Sequence, residues 1–219
     1  MRECPCCGCQ LATTDPVETL RQAAREVAVR LRHDVTQLEQ TLMTVAEWSQ
    51  QGLLARGDVT GFNRLLQPIL SNDPRLSTVL VAQDDGSEIM LLEQSGGRWS
   101  NRLTQPADSE NRYRWLVWTE GDPLPREETR ESHYDPRTRP WFKGAMGLEQ
   151  EMRPFWTEAY QFFTTREPGI TLATRWTGAD GATRVVAARR LSASAGGFSN
   201  SVVMTSHSAA NRASAVGSS

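Results

Sequence analysis

The 219-residue sequence has no cysteine beyond Cys9, no long apolar run and no excess of basic charge. Each absence excludes a class of protein. Cys4, Cys6, Cys7 and Cys9 crowd into one short stretch, so no disulfide framework staples the rest of the chain. The longest apolar stretches, such as 78–82 and 89–92, fall far short of the roughly 20 residues of a spanning helix. The opening MRECPCCGCQ lacks the apolar core of a secretory signal. A net charge of −2 gives no global field toward nucleic acid or an anionic membrane. The sequence carries no phosphate-cradling glycine loop, no H-E-x-x-H and no G-x-S-x-G. The three histidines, His33, His133 and His207, are far apart, and no cofactor is expected. The apolar share of 38% is low for a compact domain, so part of the chain is expected not to pack.

What is present begins with a helix signal. Asp15 is a cap, Pro16 suits the first helical position, and Glu18 completes an Asp-x-x-Glu box. Val17, Leu20, Ala24, Val27, Leu31, Val35, Leu38, Leu42 and Val45 follow at alternating spacings of three and four, a continuous apolar stripe. A helix over 15–51 would run ~55 Å at ~1.5 Å per residue. It is expected to project, or to pair with a second copy through the stripe. A short amphipathic helix is predicted over 60–70, broken by Asn72-Asp73-Pro74.

The pattern then turns to strands. Residues 76–82 and 88–93 flank the turn Asp84-Asp85-Gly86, and 98–103 follows Gly96-Gly97. A fourth strand covers 113–120, with Tyr113, Trp115 and Val117 on one face. A loop is predicted over 121–131, a short helix from Arg139 to about 148, and strands over 155–163, 169–176 and 183–188. The fold class is α+β: a long helix, then a largely antiparallel sheet of five or six strands, a sensor-like layout. The organisation predicted is a Cys-rich tag over 1–14, the long helix over 15–52, a folded module over 53–191 and a Ser/Ala-rich tail over 192–219. The tail holds nine serines and no acidic residue, and is expected to be disordered.

The densest chemistry lies in His133–Phe142, HYDPRTRPWF. Pro136 and Pro140 stiffen its backbone. Arg139 offers a guanidinium fork, Trp141 an indole N–H and Tyr134 a hydroxyl, a set suited to a carboxylate over an aromatic wall. The same residues also fit a rigid turn whose Arg pairs with a nearby Glu and whose Trp fills the core.

Tyr134-Asp135-Pro136-Arg137-Thr138-Arg139-Pro140-Trp141-Phe142 resembles the signature of double Cache sensor domains. These PAS-like modules bind ligands outside the membrane for bacterial chemoreceptors, histidine kinases and nucleotide cyclases. Phe155-Trp156-Thr157-Glu158-Ala159-Tyr160 is similar to the family's W-[ST]-x-x-Y strand, and Glu167-Pro168-Gly169-Ile170-Thr171 to its next turn and strand. The resemblance covers about 15–191. It implies that Tyr134, Arg139 and Trp141 hold a ligand carboxylate, with Phe142 and Tyr160 beside them. The family's amino-acid-binding members carry an Asp two residues after the strand tyrosine, where this sequence has Phe162. A second Asp falls at Arg189 or Arg190. These departures argue against an α-amino acid, because a buried ammonium group without a carboxylate is costly.

The resemblance also implies a second module, a membrane anchor and a signalling output. The match fades after about Leu191, where the loss of acidic residues reads either as a shifted or truncated frame or as a natural tail. The expectation is a non-catalytic module of a chemotaxis-type receptor. It would bind a small carboxylate-bearing ligand and act as a homodimer through the long helix, with no nucleic acid partner. An interaction protein without a ligand is the alternative. The resemblance places the chain on the extracytoplasmic side of the cytoplasmic membrane; read without signal or anchor, it would stay in the cytoplasm.

Other candidates are weaker. Cys4-Pro5-Cys6-Cys7-Gly8 matches one zinc knuckle, with Cys4 and Cys7 as ligands, but tetrahedral zinc needs four. No metal site is expected. Glu158 beside Trp156 suggests a raised-pKa acid, with no partner nucleophile in view. Trp99, Trp115 and Trp118 suit either a stacking platform or the core. Arg21, Arg25, Arg30 and Arg32 are interspersed with acids, as on a solvated helix face.

Overall fold

A computed structural model describes residues 15–54, 57–105, 112–122, 124–131 and 133–191. The cysteine tag with Cys4 and Cys7, and the tail over 192–219, lie outside the described residues. The chain divides into two compact units, residues 1–38 and 39–219.

The first unit contains most of the first helix, α1 (Pro16–Gln50). Asp15 caps it as expected, its carboxylate accepting from the Val17 N–H at 3.0 Å. Glu18 lies 3.6 Å from Arg21 and 3.8 Å from Arg25, exposed pairs of small worth. Val17, Leu20, Val27 and Val29 are exposed.

In the second unit, the last turns of α1 bury Leu42, Val45 and Ala46. Helix α2 (Val59–Asn72) starts where Asp58 accepts from the Gly61 N–H at 2.7 Å. Its stripe buries Phe62, Leu66 and Leu70 completely. Nine strands follow: β1 (Thr78–Gln83), β2 (Glu88–Gln94), β3 (Arg98–Thr104), β4 (Arg112–Thr119), β5 (Arg126–Glu131), β6 (Phe155–Trp156), β7 (Tyr160–Gln161), β8 (Pro168–Thr177) and β9 (Thr183–Leu191). Between β5 and β6 stand a 3₁₀ turn over Pro136–Thr138 and the short helix α3 (Pro140–Met146).

All strands form one antiparallel sheet in the order β5-β4-β3-β2-β1-β9-β8-β6, with β7 also on β8. The α+β class stands; the strand count of five or six does not. Two causes account for the difference. First, the predicted loop over 121–131 contains β5. Its sequence, REETRE, has no apolar residue to signal a strand, yet it pairs with β4. Arg114 reinforces that pairing with two bonds to Glu127, of 2.6 and 2.9 Å. Second, the single strand expected over 155–163 is split. Trp156 pairs with Leu172 and Tyr160 with Gly169, so one side has an extra residue, a bulge. There the Thr157 hydroxyl accepts from the Thr171 N–H at 2.9 Å.

Register sorts the sheet into two faces. Leu80, Met90, Arg102 and Trp115 lie in one cross-strand row, and Val79, Leu91, Asn101 and Leu116 in the next. The first row faces α3: Leu80, Met90 and Trp115 form one core cluster with Trp141, Phe142 and Ala145. On the second row, Asn101 exchanges two 2.8 Å amide bonds with Asn63 of α2.

Candidate functional site

The motif reaches the sheet through a rigid turn. Asp135 accepts from the Arg137 N–H at 2.9 Å and pairs with its guanidinium, which holds the Asp135 carboxyl below its ordinary range. Arg137 lies over the turn at Gly86, where an added Cβ would meet its guanidinium at 3.1 Å; Gly86 has φ of +88°. The positive φ is what favours glycine there, and the close approach of Arg137 adds to it. Pro140 then opens α3.

The five motif residues fall on the α3 side of the sheet. Trp141 is fully buried and Phe142 nearly so, their rings edge to face at 5.6 Å. Both belong to the core cluster, and Tyr160 packs against it. Arg139 lies 5.7 Å from the centre of the Tyr160 ring and donates to the Gln161 carbonyl at 3.4 Å. The Tyr160 hydroxyl meets that of Thr171 at 2.7 Å. The Arg139 Nε and the Trp141 Nε1 are buried donors without a hydrogen-bond partner among the described residues. Buried N–H groups are rarely left so.

Tyr134 is differently engaged. Its hydroxyl donates to Glu88 at 2.6 Å, and its ring is stacked 3.7 Å from the Arg102 guanidinium. Glu88 and Arg102 form a fully buried ion pair, with Nε at 2.9 Å and Nη2 at 2.6 Å from one carboxylate oxygen. Arg102 Nη1 donates to Thr164 at 2.6 Å. Burial, the largest single influence, opposes the Arg102 charge, but Glu88 together with Tyr134 and Tyr113 outweighs it, and the guanidinium is held charged above its ordinary range. This network joins β2, β3, the motif and the loop after β7.

The network was not foreseen. Its only sequence signal is the Gly96-Gly97 turn, whose register pairs Met90 with Arg102 and so sets Glu88 on the same face, one step along. The tryptophans do not form one platform: Trp99 pairs with Trp118 on the α2 face, and Trp115 lies on the α3 face. Glu158 is exposed rather than set in a cleft beside Trp156. Its neighbour Trp156 donates to Glu39 at 2.8 Å. No group of three or more metal-binding side chains and no helix apolar enough to cross a membrane occurs among the described residues.

No family model matches the chain, and no curated protein does. Solved structures do. The ligand-binding domain of the Campylobacter jejuni chemoreceptor Tlp3, in complex with 4-methylisoleucine, is 13% identical at a TM-score of 0.47, over 78% of this chain and 55% of that one. The ligand-binding domain of the Pseudomonas fluorescens chemoreceptor CtaA, in complex with L-serine, is 18% identical at 0.45, over 78% and 59%. That of the Pseudomonas aeruginosa amino acid chemoreceptor PctC, in complex with GABA, is 21% identical at 0.45, over 82% and 62%. This chain thus spans less than two thirds of the length of each of these domains.

Proposed function

We propose that the chain is a non-catalytic sensing module of a bacterial signal-transduction receptor, with a small carboxylate-bearing ligand held at Arg139 and Trp141. One observation carries the reading: the buried Arg139 Nε and Trp141 Nε1, two residues apart, lack partners among the described residues. A carboxylate accepts from both an indole N–H and a guanidinium, and charge-assisted bonds of this kind are the strong ones. The aromatic Tyr160 lines the site, and Phe142 fixes Trp141 from behind. Tyr134 acts as a positioning residue, because its hydroxyl proton goes to Glu88.

The double Cache resemblance of the motif supports the same reading and implies an extracytoplasmic setting and signalling through α1. The expectation against an α-amino acid is not carried forward. It rested on Phe162, a core side chain 2% exposed, and on Arg189 or Arg190, standing where two acids were expected; similar solved domains are in complex with L-serine and GABA. The ligand class is a small carboxylate, with or without an amino group.

The test is thermal unfolding of the chain against a panel of monocarboxylates and amino acids. A true ligand raises the midpoint in a concentration-dependent way. Arg139→Ala removes that rise while leaving the unliganded midpoint near wild type. A rise retained in Arg139→Ala refutes the site. No rise with any panel member favours the second reading, an interaction protein using the exposed Val17, Leu20 and Val27 of α1.

A further inference from the structure

A cleft of about 470 Å³ opens on the α3 side of the sheet beside β4 and β5. Its walls include Tyr113, Trp115 and Phe163, and none of the five motif residues lines it. Four guanidinium groups line it: Arg98 from β3, Arg126 and Arg130 from β5, and Arg166 from the loop after β7. Register explains the convergence. Arg126 pairs with Val117 and Arg130 with Tyr113, which puts both on the Trp115 side.

The positive charge exceeds its compensation. Arg126 and Arg130 share Glu128, at 2.6 and 3.0 Å. The bond from Arg130 keeps that carboxyl below its ordinary range, with the charge of Arg126 acting the same way. Among the described residues, Glu131 is the one acid lining the cleft. Among the described residues, four cations thus face two carboxylates.

Two of the four are set on aromatic faces. The Arg130 guanidinium lies 4.8 Å from the Trp115 ring centre, and that of Arg166 lies 5.2 Å from Phe163. Such stacking occupies a face of the guanidinium and leaves its in-plane N–H rim for an oxyanion; on Arg130 the Nε and Nη2 of that rim already donate to Glu128, at 3.2 and 3.0 Å. Arg166 also has φ of +60°, a conformation that L side chains seldom adopt and that tends to mark functional positions.

We propose that this cleft is a second binding site, taking a small anion with two or three carboxylates. The carboxylates bond to Arg98, Arg126, Arg130 and Arg166, and the carbon frame lies against Tyr113, Trp115 and Phe163. The aromatic walls select a polycarboxylate over inorganic phosphate, which has no apolar surface to bury. The site uses none of the motif residues, so it stands or falls apart from the Arg139 reading.

The experiment is isothermal titration of the full chain at constant ionic strength with citrate, succinate, acetate and inorganic phosphate. Citrate and succinate should bind at least about tenfold more tightly than acetate or phosphate, the effect of one added charge-assisted bond. Arg166→Gly should weaken citrate by about tenfold or more without harming the fold, since glycine accepts that backbone conformation. Arg98→Gln, at an exposed strand end, should weaken it similarly, whether or not Arg166→Gly folds. Arg139→Ala should retain the citrate-binding event that Arg98→Gln weakens, whether or not the motif also takes a carboxylate. The proposal is overturned if citrate binds no better than acetate, if phosphate equals citrate, or if Arg98→Gln retains full affinity. Loss of citrate binding in Arg139→Ala also overturns it, because the anion would then sit at the motif.

Discussion

On the α2 face of the sheet, Phe62, Leu66 and Leu70 are buried without remainder, and the Asn63–Asn101 amide pair is the polar bridge to the helix. On the α3 face, the middle of the sheet carries a buried Glu88–Arg102 ion pair, and arginines continue to the β5 edge. The first face is held by area and shape, which are non-directional. The second has its own apolar cluster around Trp141 and is in addition held at fixed points by directed bonds among β2, β3, Tyr134 and Thr164. A binding face needs that second kind of support: its loops must be fixed without being sealed under apolar side chains.

The largest expected effect breaks the α3 face. Arg102→Met strands a buried carboxylate and should cost about 3–5 kcal/mol in urea unfolding. Adding Glu88→Leu should restore most of it, because a buried pair replaced by apolar groups is often neutral. If the double variant is no more stable than Arg102→Met, the pair is not a self-contained unit and the contrast between the faces weakens.

Next comes the α2 face. Leu66→Ala should cost about 2–5 kcal/mol, the loss of transfer energy plus a cavity. The site proposed on the other face should then bind a carboxylate with wild-type affinity in the folded fraction. Altered affinity, measured by titration well below the unfolding midpoint, would show that the faces are coupled.

The smallest effect lies at the β8–β9 turn. Arg184 holds the exposed Asp180 carboxyl from its ordinary 3.8 down to about 2. The depressed value means the ionised form favours the fold. Its contribution is present above pH 3.8 and is lost as pH falls toward 2. Asp180→Asn should therefore flatten stability slightly between those values and change nothing at pH 7 beyond the small loss typical of an exposed pair. Urea unfolding of both proteins across that range checks it.

Much of the fold was legible because it is written locally. The turns at Asp84-Asp85-Gly86 and Gly96-Gly97 join β1 to β2 and β2 to β3, as expected. The stripes of α1 and α2 and the Asn72-Asp73-Pro74 break also match. Strand β5 was missed because REETRE gains its strand from pairing with β4, not from any apolar pattern. The bulge at Thr157 was missed because it depends on which residues of β8 lie opposite.

The sequence by itself determined the α+β class, the hairpin order and the motif from Tyr134 to Phe142. These depend on residues close along the chain: turn chemistry, helical spacing and the φ restriction of Pro136 and Pro140. Only the tertiary structure decided that the Tyr134 hydroxyl goes to Glu88, that Arg139 and Trp141 carry buried donors unpartnered among the described residues, and that four arginines meet beside Trp115. Those facts depend on strand register and on burial. Both are fixed when segments far apart in sequence share one face, because only then does a polar group lose water and have to find its partner.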